Sequence, residues 1–425
     1  MITLLFVLLA LLIFIGFPIA FAIGIPCLIV MQFLDLPMSM AITQTFAGID
    51  SFSLMAIPFF ILAGQIMGKA QIIEQIVDFS NSLVGWVRGG LGHVNILASM
   101  IFSGVSGSGV ADASAIGSLL IPSMVKQGYK SDFSVAVTAT SATIGPIIPP
   151  SIPLILYGIL TRQSIGRLFL GGVIPGLLVG FGLMVMNYLV CLKRDYVFRQ
   201  EKTSFKGIIT TFFHSIGALI MPIIIVGGIT TGMFTATEAG VIAVIYGFIF
   251  GIIVTRSLKI NHIPNLLIDS ATTAAIVMFI IAMATIFGNI LSRLRFQHLV
   301  VTNILNLTGD PMLAVLLIMA FLLFLGLFID PTAVIVMFAP TLAGAGAKLG
   351  YDPIHFGVLM IMVMLIGAVT PPVGSMLFIS CSIADISIEE SFVVLLPFIF
   401  VLICVALVVL FIPQTALWLP SIFLH

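Results

Sequence analysis

The sequence predicts an all-α polytopic membrane protein made of two related halves running in opposite directions, each with a re-entrant helical hairpin and a broken helix. Three observations predict it. First, the 425 residues are 60% hydrophobic and only 8% charged, with a mean hydropathy of +1.30, whereas soluble domains carry about 25% charged residues. Second, helix-breaking residues interrupt otherwise apolar chain within Phe102–Pro153 and again within Phe324–Ser375. Third, the two interruptions share landmarks at a nearly constant offset. Pro149-Pro150 and Pro371-Pro372 lie 222 residues apart, as do Gly145 and Gly367, and Tyr129 and Tyr351, while Asp112 and Asp330 lie 218 apart.

Composition removes several classes of function. A net charge of zero suggests no nucleic-acid partner. The four cysteines, Cys27, Cys191, Cys381 and Cys404, are scattered through apolar segments without metal-ligand spacing, and they form no disulfide framework. Neither a phosphate-binding G-x-x-x-x-G-K-[ST] run nor a dinucleotide fingerprint occurs, so energy must come from an ion gradient or another subunit. The N-terminus lacks a basic region and a cleavage site, and it reads as a retained span.

A membrane-spanning helix needs about 20 apolar residues. Residues 2–34 are long for one crossing and short for two, with Gly16-Phe17-Pro18 as a kink or a turn, and the sequence leaves both open. Residues 52–70 make a clear span. Ile72–Gly90 carries Ile72, Ile73, Ile76, Val77, Leu83 and Val84 at helical spacing with charges between, the pattern of a helix lying in the interface plane. Residues 93–126 are interrupted by SGVSGSG and predict a hairpin; residues 131–162 are a span broken at Gly145–Pro150; residues 168–192 are a plain span. A polar connector at 193–206 divides the first repeat, 1–192, from the second, 207–425. The second repeat offers spans at 208–228, 234–255 and 267–291 and a surface-helix candidate at Leu291–Leu305. A hairpin at 311–347, a span at 354–384 broken at Gly367–Pro372 and a closing span at 392–412 follow. FILAGQIMG from Phe60 and IIAMATIFG from Ile280 extend the duplication at an offset of 220.

Lys and Arg concentrate in cytoplasmic loops. Placing the 69–92 connector inside puts eleven of the sixteen basic residues on the cytoplasmic side, and the opposite choice inverts that ratio. The first hairpin then opens inward and the second outward, which makes the repeat an inverted one.

Non-helical backbone in a bilayer costs several kcal/mol per unpaired group and persists only where it is buried in protein or lines a cavity. At each break, half-helix N-termini suit an anion and exposed carbonyls suit a small cation. Sodium takes hard oxygen ligands. The first unit supplies Ser103, Ser106 and Ser108 at the tip and the carbonyls of Gly145, Ile148 and Pro150, in a stretch whose helical hydrogen bonding Pro149, Pro150 and Pro153 interrupt. The second supplies Gly326, Gly367, Thr370 and Pro372. Its tip, LFLGLFID, has no serine, so backbone carries more of that site. Asp112 and Asp330 follow the tips and serve either as helix caps or in helping to hold a cation; with Ser108 and Ser151 they are also the candidates for substrate contact. Glu238 reads as a first-turn residue, Arg293 and Arg295 as surface residues, and His93 and His355 as interfacial. Gly and Ser also mark close helix packing, and proline kinks helices without any ligand. The matched pairing of tip and break in both halves favours a transport site.

The hairpin FSGVSGSGVADASAIGSLLIPSMVKQGY, the break TATSATIGPIIPPSIPLILYG and the second-half GAVTPPVGSMLF resemble the large membrane subunit of tripartite ATP-independent periplasmic (TRAP) transporters. The resemblance runs over essentially the whole chain, including GFPIAFAIG and IPFFILAGQIM. It implies sodium-coupled import of an organic acid of the C4-dicarboxylate or sialic acid type, by an elevator movement shared across the ion-transporter superfamily. It also implies a periplasmic substrate-binding protein, a small four-helix membrane subunit on a separate chain, and a place in the bacterial inner membrane. The family's sodium ligands match Ser103, Ser106, Gly145, Ile148 and Pro150 here, with a second set at Gly326, Gly367, Thr370 and Pro372. Two rival readings stand beside it. One is a self-sufficient sodium symporter of the divalent-anion or citrate type, and the other is a non-transporting intramembrane enzyme or scaffold. The sequence offers no convincing His-Glu, Asp-Asp or Ser-His arrangement for catalysis, so an enzyme is not expected.

Overall fold

The computed structural model describes residues 1–70, 72–196, 203–296, 298–299, 302 and 310–424, and the described residues form helices joined by short turns. The first half begins with α1 (Ile2–Phe14) and α2 (Ile19–Phe33), so residues 2–34 are two helices, broken where Gly16 takes φ +89 ahead of Pro18. A third helix, α3 (Met38–Ile49), occupies a stretch that hydropathy alone does not single out. A 3₁₀ turn at Phe52–Met55 leads into α4 (Ala56–Lys69), followed by α5 (Ile72–Val84), whose buried residues Ile72, Ile73 and Ile76 lie along one face.

Helices α6 (Gly90–Ser106) and α7 (Gly109–Lys126) meet at a two-residue turn. Helix α8 (Ser131–Ser141) passes through a 3₁₀ turn, Ala142–Ile144, into irregular chain, and α9 (Ile152–Thr161) resumes beyond it. The long α10 (Ile165–Lys193) closes the first half. Of the polar connector at 193–206, Lys193 ends α10 and residues 197–202 lie outside the described residues.

The second half opens with α11 (Phe205–Thr230), then α12 (Ala236–Ile249) continued by a π-helical turn at Phe250–Val254, then α13 (Ile263–Arg293). Leu291–Arg293 are the last turn of α13. The surface helix expected at Leu291–Leu305 therefore begins at least three residues later than the sequence suggests, and residues 297, 300, 301 and 303–309 lie outside the described residues. Helices α14 (Pro311–Gly326) and α15 (Pro331–Lys348) meet near Gly326–Asp330. Helix α16 (Pro353–Gly367) ends in irregular chain over Ala368–Gly374 before α17 (Ser375–Ala384), and α18 (Ile388–Phe411) and α19 (Gln414–Phe423) follow. Among the described residues, six helical stretches are long and apolar enough to cross a membrane: Phe52–Lys69, Ile165–Lys193, Phe205–Thr230, Ala236–Val254, Ile260–Arg293 and Ile388–Phe411.

The halves interlock. Helix α7 of the first hairpin packs on α17, which follows the second break, and α15 of the second hairpin packs on α9, which follows the first. Likewise α2 lies on α13 and α12 on α4. The segments that lead into the breaks sit at the centre, with Phe133–Ser141 and Ile354–Gly367 buried throughout. The outer helices instead expose large apolar side chains such as Phe181, Phe213 and Ile223, as a lipid-facing surface requires. This central packing corrects one expectation. His93 and His355 are 6% and 1% exposed, not interfacial. His355 Nε2 lies 2.7 Å from the Val409 carbonyl because α18 lies over α16. Glu238 sits in the first turn of α12, where it completes a capping box with Thr235.

Candidate functional site

Each tip and each break is held by hydrogen bonds that the proline and glycine placement dictates. At the first tip Gly107 takes φ +61, and a Cβ there would lie 2.4 Å from the Pro150 carbonyl oxygen, so only glycine lets the tip reach the break. Ser108 caps α7, accepting from the Ala111 N–H at 3.4 Å. The Gly107 carbonyl accepts from the Ile152 N–H at 3.2 Å. That bond diverts the donor that would otherwise serve Ile148 in a helix.

The same substitution of partners runs along the whole first break. Pro149 has no N–H for the Gly145 carbonyl, and the Leu154 N–H, helical partner of the Pro150 carbonyl, donates instead to Ser151 Oγ at 3.2 Å. Gly145, Ile148 and Pro150 therefore keep carbonyl oxygens without helical donors. Among the tip serines, Ser103 Oγ donates to the Met100 carbonyl at 2.6 Å and Ser106 Oγ donates to Asp112 Oδ1. These candidate ligand atoms are all hard oxygens, and their chemistry fits a small hard cation.

The second break is built from closer backbone contact. Gly326 and Gly367 touch: a Cβ on Gly367 would lie 2.5 Å from the Gly326 carbonyl carbon. The Val373 N–H reaches the Leu327 carbonyl at 3.3 Å and the Met376 N–H reaches the Ala368 carbonyl at 3.1 Å, which leaves the Pro372 carbonyl without its helical donor. Thr370 Oγ1 donates to the Ile366 carbonyl at 2.6 Å, and the Thr370 N–H donates to the Gly367 carbonyl at 3.0 Å. Ser375, which the sequence reading passes over, places its hydroxyl oxygen buried and unpartnered at the end of this break. The signal was present in the sequence as a serine directly after PPVG.

A cavity of about 440 Å³ lies between the two tips. The first hairpin contributes Ser106 to Ala111 and Ser114; the first break contributes Pro146, Ile152 and Pro153; the second tip contributes Asp330, Pro331 and Thr332. Helices α4 and α13 close it with Gln65 and Thr273. Three half-helix N-termini, those of α7, α9 and α15, thus reach one space. Among the described residues, Asp330 is the one titratable side chain that lines the cavity, and it caps α15 by accepting from the Thr332 N–H at 2.9 Å. Of the four candidates for substrate contact, Ser108 and Asp330 line this cavity. Asp112 and Ser151 are 1% and 0% exposed and stand behind its wall. Gln65, Ser114 and Thr273 were missed, although polar residues inside apolar helices are the signal that could have found them. A second cavity of about 410 Å³ shares Gln65, Gly68 and Ala115 with the first and extends to Lys69, Glu74, Ser118 and Asp269.

Residues 4–415 match the family described as tripartite ATP-independent periplasmic transporter, DctM component. The chain belongs to this family. It is 39% identical over 420 residues to the sialic acid TRAP transporter large permease protein SiaM of Vibrio cholerae, covering 97% of both chains. To the C4-dicarboxylate large permease DctM of Pseudomonas aeruginosa it is 35% identical, over 88% of this chain and 87% of that one. It is 36% identical to the 2,3-diketo-L-gulonate large permease YiaN of Escherichia coli over 94% of both. Among solved structures, the YdaH transporter of Alcanivorax borkumensis shares the fold, with a TM-score of 0.59 at 14% identity over 90% of this chain and 89% of that one. This TRAP large permease is accordingly a transport subunit of the inner membrane and not an enzyme. Proteins of its kind act with a small membrane subunit and a periplasmic binding protein. The isethionate permease DctMQ of Oleidesulfovibrio alaskensis, 38% identical, is longer: the chain covers 64% of it.

Proposed function

We propose that this permease imports a small organic acid, of the sialic acid or C4-dicarboxylate type, driven by sodium and received from a periplasmic binding protein. The observation that carries the reading is the central cavity, walled by both tips and the first break beside carbonyls stripped of their donors. No Lys or Arg is among the described residues that line it. An anion there would be held by three helix N-termini, each equivalent to roughly half a positive charge, and by the cations beside them. Sodium would be held by Ser103, Ser106, Gly145, Ile148 and Pro150 at the first break and by Gly326, Gly367, Thr370 and Pro372 at the second, supplying positive charge to the site. That shared dependence couples the two ligands, since each lowers the cost of placing the other.

The interlocked packing of hairpins and post-break helices supports an inverted repeat that moves as one bundle, an elevator, against the outer helices. The small four-helix subunit would be a separate chain seated on those outer helices. Reconstitution of the permease with its small subunit and binding protein in liposomes tests the whole reading, with a panel of sialic acids, C4-dicarboxylates and sugar acids as cargo. Uptake of one class that requires an inward sodium gradient, and that is lost in Ser103→Ala plus Ser106→Ala at unchanged expression, is the expected result. Uptake by the large permease alone, with no binding protein, would instead establish a self-sufficient symporter.

A further inference from the structure

Asp112 follows the first tip but does not face the cavity. Its Oδ1 accepts the Ser106 hydroxyl hydrogen. Its Oδ2 is buried without a hydrogen-bond partner and is pressed against Gly145, where a Cβ would lie only 2.1 Å from it. A serine hydroxyl has one hydrogen and two acceptor lone pairs. In Ser106 the hydrogen goes to Asp112, one lone pair takes the Ser108 N–H at 3.3 Å, and one lone pair remains.

We infer that Asp112 is a positioning residue for the first cation site, fixing the Ser106 hydroxyl so that its remaining lone pair faces the ion and supplying a buried negative charge that the ion offsets. The inference rests on the sodium reading proposed above. Three facts make this assignment. A neutral hydroxyl free to rotate would point its hydrogen at a cation for part of the time, whereas a charged acceptor locks it away. A buried carboxylate oxygen with no partner is costly unless a counter-charge lies nearby, and no Lys or Arg lies among the residues lining the adjoining cavity. Lastly, the unpartnered oxygen abuts Gly145, a residue whose carbonyl belongs to the same candidate site.

The test is the sodium dependence of thermal stability of the purified large permease with its small subunit, with choline holding ionic strength fixed. Wild type, Ser106→Ala, Asp112→Asn and the double variant are compared. Asp112→Asn is expected to raise the sodium midpoint by about tenfold or more, the loss typical of a hydrogen bond to a charged group. In the Ser106→Ala background its effect should be smaller, because the orienting role is gone and only the charge remains. A wild-type midpoint in Asp112→Asn overturns the inference, even if stability in choline falls, because that pattern marks a purely structural residue. Shifts that simply add across the two sites overturn it as well. Should Asp112→Asn not assemble, Asp112→Ser removes the same charge and carries the same expected and overturning results. If wild type itself gains no stability from sodium, the sodium reading falls and this inference with it; if wild type responds and Asp112→Asn matches it, only this inference falls.

Discussion

Gly107 illustrates how much of this protein is decided by single residues. Its left-handed backbone and its contact with the Pro150 carbonyl hold the first tip on the first break. Adding one methyl there meets both a steric clash and an αL cost of roughly 1–2 kcal/mol. Gly107→Ala is therefore expected to lower the thermal midpoint of the purified permease and to abolish its stabilisation by sodium. Gly288→Ala makes the matched comparison, because nothing lies within 4 Å of the Cβ it would add and helical alanine is favoured over glycine. It should leave both readouts unchanged or slightly improved. Equal losses in the two variants would mean that the tip's approach to Pro150 is not what matters at Gly107.

Between elements, the decisive contacts are polar bonds buried among apolar helices. Asn95 on α6 donates to Thr138 Oγ1 on α8 at 2.7 Å and accepts from Ser141 Oγ at 3.1 Å, and Ser99 Oγ donates to Ser141 Oγ at 3.0 Å. All four residues are at most 1% exposed. This ladder ties the first hairpin to the segment leading into the break. Asn95→Leu removes both bonds, at about 0.5–1.5 kcal/mol each, while Thr138 and Ser141 keep their bonds to the Ser134 and Thr138 carbonyls. Calorimetry of the purified permease should register a loss of a few degrees or more in the thermal midpoint, with a weakened response to sodium. An unchanged midpoint would show that α6 and α8 are held by apolar packing alone.

For the whole molecule, the central cavity shares Gln65, Gly68 and Ala115 with the cavity at Lys69, Glu74 and Ser118, which gives it a direction. If the charge bias holds and the Lys69 end is cytoplasmic, the arrangement described is expected to be open inward. Ser118→Cys, introduced with Cys404→Ser to remove the one cysteine that is not buried, reports on this. A thiol reagent that cannot cross membranes should label it in inside-out vesicles and not in right-side-out ones. Labelling from the opposite side would reverse the orientation assigned from charge.

The positions where helices break were legible in the chain because their causes are local: Pro149, Pro150, Pro371 and Pro372 lack the N–H that would pair a neighbouring carbonyl, whatever packs nearby. The membrane class was legible for a similar reason, since hydropathy needs no partner to be read. The facing of each side chain was not. Asp112 and Asp330 stand in similar places after their tips, yet Asp330 lines the cavity and Asp112 turns behind Ser106, and Gln65 and Thr273 join from helices far away in sequence. Helices apolar on every side carry little periodic signal of which face turns inward. Only the packing of one half against the other decides which oxygens and hydroxyls share a space.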